Sequence, residues 1–251
     1  MKPLLFPLLA GLLLTSCNQP ASSTENQSQQ PAKDSVTAAT VKPSIRKVLT
    51  AAEQQALSPD SILQSLIDGN KRFAVDKMTA RNDSAMVQDA VSGQHPMAVV
   101  LSCIDSRVPV EEVFDKGIGD LFVTRVAGNV VNEDILGSLE YSCQESGAKL
   151  ILVLGHESCG AIKAAIEGVK LGNITAMLAK VQPALAKSQN FKGEKTVENS
   201  AYVEAVVKNN ILNTIELIKK KSPVLKAMLD KGEIKMVGAY YSLKTGEITL
   251  L

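Results

Sequence analysis

The 251-residue chain carries 27 Lys and Arg against 26 Asp and Glu, with 45% hydrophobic residues and 4% aromatics. That length suits one sizeable domain with its own core. The balanced charge leaves no basic field to hold a nucleic-acid backbone, so that partner class is excluded.

The first element in chain order is "MKPLLFPLLAGLLLTSC" (1–17): one lysine, an apolar run, then Leu14-Thr15-Ser16-Cys17. The run is too short for a lasting membrane span and has the layout of a secretory signal. Its ending resembles a bacterial lipobox, in which cleavage precedes the cysteine and its sulfur is acylated. The resemblance implies lipidation of Cys17 and a body tethered to the bacterial cell envelope, periplasmic or outer-membrane-associated. Membrane contact would then run through the N-terminal lipid alone. Residues 18–44 are rich in Ser, Gln, Ala, Thr and Pro and poor in large apolar residues. Such a segment cannot bury enough surface to offset its ordering entropy, and it reads as a disordered polar linker.

The folded body is expected over 45–251. Ile62, Leu63, Leu66, Ile67 and Phe73 recur at helical spacing, with Ser58 or Asp60 as N-cap and Pro59 in the first turn. Three apolar runs, 97–103, 120–128 and 148–156, read as buried strands. Helical patterns follow two of them, over 132–147 and 158–170. A long amphipathic stretch (194–221) precedes the runs 234–241 and 247–251, which Ser-Leu-Lys-Thr-Gly joins as a hairpin. Strands alternating with helices predict an α/β fold. It would have a mostly parallel central β-sheet flanked by helices, an N-terminal helical arm and an antiparallel C-terminal edge strand.

Ligands of such sheets bind beyond the carboxyl ends of the strands. Two places meet that rule, "CIDSR" after the first strand and "HESC" after the third. They bring Cys103, Asp105, His156 and Cys159 to one edge. Residues 103 and 105 point to the same side of a strand end. Cys159 would sit in the first turn of the next helix, where unpaired N–H groups favour a thiolate. Gly155 and Gly160 allow a tight backbone turn. Two thiolates, an imidazole and a carboxylate suit a tetrahedral zinc ion. On chemistry alone, a Cys103–Cys159 disulfide or simple packing of small buried residues stays open.

"CIDSRVP" followed by "GHESCGAI" resembles the paired signature of the β-class carbonic anhydrases, Cys-x-Asp-x-Arg and His-x-x-Cys. "GNKRF", "GDLFVTRVAGN" and "SLEYSCQESGAKLILVLGH" extend the likeness over about residues 58–251. The resemblance implies reversible hydration of CO2 to bicarbonate and a proton by zinc-bound hydroxide. Carried over by position, Cys103, His156 and Cys159 bind Zn2+. Asp105 is a fourth ligand in the family's closed state, and Arg107 pairs with it when it leaves the metal. This Asp-Arg dyad would control access to the zinc. The alternative on the same scaffold is a zinc hydrolase acting on carbon disulfide or carbonyl sulfide.

The family's substrate pocket maps to Gln94, Phe122, Ala127, Tyr141 and Gly160. Ala127 replaces a larger aliphatic residue, and "RVAGN" departs from the commoner Arg-Asn-x-Ala-Asn. The chain has no tryptophan, so the residue that accompanies the family's inhibitory bicarbonate site, expected near Val100, is missing. The family also implies a homodimer or dimer of dimers, with an arm that crosses to the partner and pocket walls from both chains. His95 reads as a surface histidine and Cys143 as a core residue.

Overall fold

The computed structural model describes residues 47–251; the expected signal segment 1–17 with Cys17 and the expected linker 18–44 lie outside the described residues. In chain order the elements are α1 (Ala51–Ala56), α2 (Pro59–Ala74), α3 (Asp83–Asp89), β1 (Ala98–Ser102), α4 (Val110–Val113), β2 (Leu121–Arg125), α5 (Glu133–Glu140) and β3 (Leu150–His156). They continue with α6 (Gly160–Ile166), α7 (Gly172–Leu178), α8 (Gln182–Lys187), α9 (Ser200–Lys221), α10 (Pro223–Asp230), β4 (Lys235–Tyr241) and β5 (Ile248–Leu250).

The strands form one sheet in the order β2-β1-β3-β4-β5. The first three pairings are parallel, and β4–β5 is antiparallel. The fold class is the one expected. The chain leaves β1 for β2 on one side and then crosses to β3 on the other. A crevice therefore opens between the carboxyl ends of β1 and β3, where such sheets bind ligands.

Strand alternation divides the core into two layers. Val99, Leu101, Cys103, Ile151 and Val153 pack under α5, α6, α8 and α9. Ala98, Val100, Leu150, Leu152 and Leu154 pack against Ile62 and Leu66 of α2 and against Val110 and Val113 of α4. Each fully buried side chain of this size contributes roughly 1.5–3 kcal/mol.

Local chemistry sets the element ends. Ser58 is the N-cap of α2: its Oγ accepts the Ser61 N–H at 3.1 Å, and Pro59 opens the helix. The second expected strand-like run, 120–128, stops as a strand at Arg125. Gly128 (φ +72°) and Asn129 (φ +42°) are left-handed and turn the chain. The helix expected over 132–147 is α5 followed by a π turn at Tyr141–Glu145. The long helix starts at Ser200 because Asn199 caps the Tyr202 N–H at 3.3 Å. Helices α1, α3, α4, α7, α8 and α10 add to the elements read from the sequence.

Helix α9 lies unusually close to the sheet. A Cβ built on Gly155 would stand 2.6 Å from Ile211 Cδ1, and one on Gly238 would stand 2.7 Å from Ile211 Cγ2. Gly155→Ala is expected to lower stability by about 1–3 kcal/mol through overpacking. Ile211→Val in the same chain should recover part of that loss, since neighbours in contact are not additive. Strictly additive penalties in thermal unfolding would show that the contact is looser than described.

Candidate metal centre

Cys103 follows β1, His156 ends β3, and Cys159 is the N-cap of α6, one position earlier than its expected place in the first turn. Their sulfur and nitrogen atoms all lie within 4.8 Å of one another. All three side chains are buried. Ser158 between them has φ +52°, the sharp bend that swings Cys159 back toward His156. The two sulfurs are 4.0 Å apart and the cysteines are free, so no disulfide joins them.

The imidazole is oriented by its backbone. His156 Nδ1 sits 2.9 Å from the Glu157 carbonyl oxygen, which as an acceptor places the proton on Nδ1. Nε2 is then a bare acceptor, fully buried and with no hydrogen-bond partner among the described residues. A buried polar atom left this way needs an explanation, and a cation between Nε2 and the two sulfurs supplies it. The donor set fits a metal.

The thiols share one acidity. The Cys103 thiol is pushed well down, first by its hydrogen bond with Cys159 and further by the Gly128 N–H, against the opposing effect of burial. The Cys159 thiol is pushed up by that same contact and by burial, while the N–H groups of Ala161 and Ile162 favour its thiolate. Such a pair holds one thiolate readily, and a cation would be needed to hold two.

Asp105 stands at the rim. Arg107 grips it bidentately, Nε to Oδ1 at 2.9 Å and a terminal nitrogen to Oδ2 at 2.8 Å, and donates its backbone N–H to Oδ1 at 3.0 Å. The guanidinium hydrogen bonds hold the carboxyl far below the usual carboxylate range. Oδ2 lies 3.8 Å from His156 Nε2, so the carboxylate borders the same space as the three buried ligands.

Arg125 is a site residue that pattern reading missed. It donates to the Cys103 carbonyl at 2.8 Å and to the Asp105 carbonyl at 2.6 Å, which fixes the loop that carries both. Its position at the end of β2, beside β1, was the available signal.

The remaining expected site residues fall into two groups. Ala127 and Gly160 flank the centre, through the Gly128 turn and the start of α6. Phe122 and Tyr141 meet edge to face, with ring centroids 6.3 Å apart, and line a cavity of about 690 Å³ with Val99, Thr124 and Ser138. Gln94 and His95 line an adjoining depression with Tyr141 and Gln54. Neither cavity is lined by Cys103, Asp105, His156 or Cys159. Within one chain, Gln94, Phe122 and Tyr141 are therefore not brought to the centre. Cys143 is buried in the π turn, and burial pushes its thiol up to about 12, which leaves it an inert core residue.

Two thiols and an imidazole at the crevice of a parallel sheet, with a gripped carboxylate at the rim, define an α/β protein with a site that could hold a metal ion. A sequence profile of the carbonic anhydrases matches residues 98–248. Carbonic anhydrase 2 of Mycobacterium tuberculosis is 30% identical over 199 residues, covering 77% of this chain and 93% of the relative. The solved β-carbonic anhydrase CcaA superposes with a TM-score of 0.59 at 25% identity, over 76% of this chain and 87% of that one. A tetrameric β-carbonic anhydrase of Sordaria macrospora gives a TM-score of 0.60 at 19% identity, over 67% and 87%. The chain belongs to the β-class carbonic anhydrase family and is an enzyme of that family.

Proposed function

We propose that the protein is a zinc-dependent carbonic anhydrase that interconverts CO2 and bicarbonate. The observation that carries this reading is the buried, partnerless Nε2 of His156 facing two buried cysteine sulfurs, with Asp105 held at their rim. Cys103, His156 and Cys159 would hold the ion, and that sulfur-rich set favours zinc. When bound, zinc supplies the Lewis acidity that makes water a nucleophile near neutral pH.

The other roles belong to the chain. Asp105, kept ionised by Arg107, has acceptor oxygens only and orients the attacking water. Because its pKa is held low, it does not take the proton, which must leave to solvent. By moving between Arg107 and the metal, the carboxylate would open or close the fourth ligand position. Arg125 holds the loop on which that movement turns.

The pocket is completed by a second copy of the chain. Gln94, Phe122 and Tyr141 lie apart from their own chain's ligands, and Tyr141 and Ile104 are exposed. A dimer that places these walls over the partner's ligands explains both facts. The tetrameric Sordaria macrospora relative is consistent with assembly of this fold. The test combines stopped-flow CO2 hydration with sedimentation velocity on metal-quantified protein. Fast, zinc-dependent hydration by a dimer or larger oligomer is expected. A zinc-loaded protein inactive on CO2 but active on carbonyl sulfide would replace the substrate, and full activity in a monomer would remove the shared pocket.

Anchoring is proposed from Cys17 and the linker, since no helix among the described residues is long and apolar enough to cross a membrane. Cys17→Ser should release the protein from bacterial envelope membranes with hydration activity intact. Retention of that variant on salt-washed membranes would contradict a lipid-only tether.

A further inference from the structure

We propose that Asn210 is a positioning residue for the ligand Cys103 and acts through the backbone of Gly128. The inference rests on the reading of Cys103 as a metal ligand. Gly128 donates its N–H to Cys103 Sγ at 3.4 Å. Asn210 Nδ2 donates to the carbonyl oxygen of the same Gly128 at 2.7 Å. One turn on along α9, Thr214 Oγ1 donates to the Asn129 carbonyl at 3.2 Å. Two side chains on one helix face thus hold the two carbonyls that follow the N–H aimed at the sulfur.

The turn needs such support. Gly128 and Asn129 have φ of +72° and +42°, and the second is a conformation that L residues avoid. Without an external hold, the turn could relax and rotate the Gly128 N–H away from the sulfur. Helix α9 is a firm platform for that hold. Ile211, the next residue, is pressed against Gly155, the residue before the ligand His156. The helix therefore keeps a fixed register to β3 and to the turn at once.

The choice of residue supports a role beyond packing. Position 210 is buried beside Val206, Val207 and Ile211, on a helix face that also carries Thr214. Asn210 Oδ1 has no hydrogen-bond partner among the described residues. A leucine would fill the space without burying a half-satisfied amide. What the asparagine adds is its one bond to Gly128. An N–H bonded to a thiolate draws charge from the sulfur, which weakens its donation to a metal and leaves the metal a stronger Lewis acid.

The test replaces zinc with cobalt(II) in detergent-solubilised full-length protein and records the sulfur-to-cobalt charge-transfer band. In Asn210→Leu the band should move to longer wavelength, because the sulfur has lost a hydrogen bond. Metal content should stay at its wild-type level, and hydration should fall roughly tenfold or more. Asn213→Leu is the control: Asn213 is also buried on the same helix, and its Nδ2 has no partner among the described residues. Its band should not move. Should the leucine variant fail to fold, Asn210→Thr asks the same question with a donor too short to reach Gly128. A band unmoved by the folded position-210 variant, or moved equally by Asn213→Leu, overturns the proposal while the metal reading stands. Absence of any thiolate charge-transfer band in the wild-type protein would instead remove Cys103 as a ligand.

Discussion

Cys103→Ala and Cys159→Ala should each reduce bound zinc from about one ion per chain to nearly none, with hydration falling to the uncatalysed rate. Each change deletes one of three donors and one of the two negative charges that offset the ion. The loss cannot be made good locally. Both sulfurs are buried, and the carboxylate at the rim, Asp105, is held by Arg107. Folding should suffer less than metal binding, because an alanine at either place removes one small side chain from a packed edge. Cys143→Ala is the matched control. It removes a thiol of equal burial in the π turn, away from the centre. That variant should keep its zinc and lose only the stability of a small cavity, about 1 kcal/mol. Metal analysis of the three purified variants decides the matter. Full zinc occupancy in either ligand variant would end the assignment.

The parts of this centre that the sequence showed are those set by strand alternation and strand ends. Cys103 and His156 each close a β-branched, apolar run, and adjacent parallel strands must deliver their carboxyl ends to one edge. Asp105 and Arg107 were legible for the same reason, being one short loop from β1. Residues that reach the centre from distant sequence were not legible. Asn210 looks like any polar residue in an amphipathic helix until α9 is laid on the sheet, where it faces the carbonyl of Gly128. Arg125 ends a strand and gave no period or spacing to mark it. The boundary of β2 was overrun because an apolar run carries no sign of where φ turns positive, although the Gly-Asn pair at 128–129 marks a turn in retrospect. Gln94, Phe122 and Tyr141 are a different case. Their resemblance to pocket residues was visible, but a single chain leaves them outside its own centre, and only the proposed second copy would bring them to it.

Arg107→Ala should keep its zinc and lose hydration on the order of 100-fold. The argument runs through Asp105. In the structure its two oxygens are both taken by the Arg107 side chain, and the Arg107 backbone N–H adds a third contact. Deleting the side chain leaves only that backbone contact. The carboxylate then has an unpaired charge with Oδ2 already 3.8 Å from His156 Nε2. The nearest strong partner would be a cation held by His156 and the two cysteines, and the freed carboxylate would then close the site to water. Raising pH cannot reopen it, because Asp105 is already ionised at every working pH. Lysine at 107 should restore only part of the loss. It supplies a charge but not the two parallel hydrogen bonds of a guanidinium. Asp105→Ala separates closure from orientation. It leaves the fourth position open, so the variant should keep zinc and bind small anions readily, yet turn over poorly for want of the acceptor that orients water. Stopped-flow rates beside metal content and anion titration for the three variants distinguish these outcomes. Near-normal hydration by zinc-loaded Arg107→Ala would show that Asp105 needs no second anchor, and the gating role of the pair would be withdrawn.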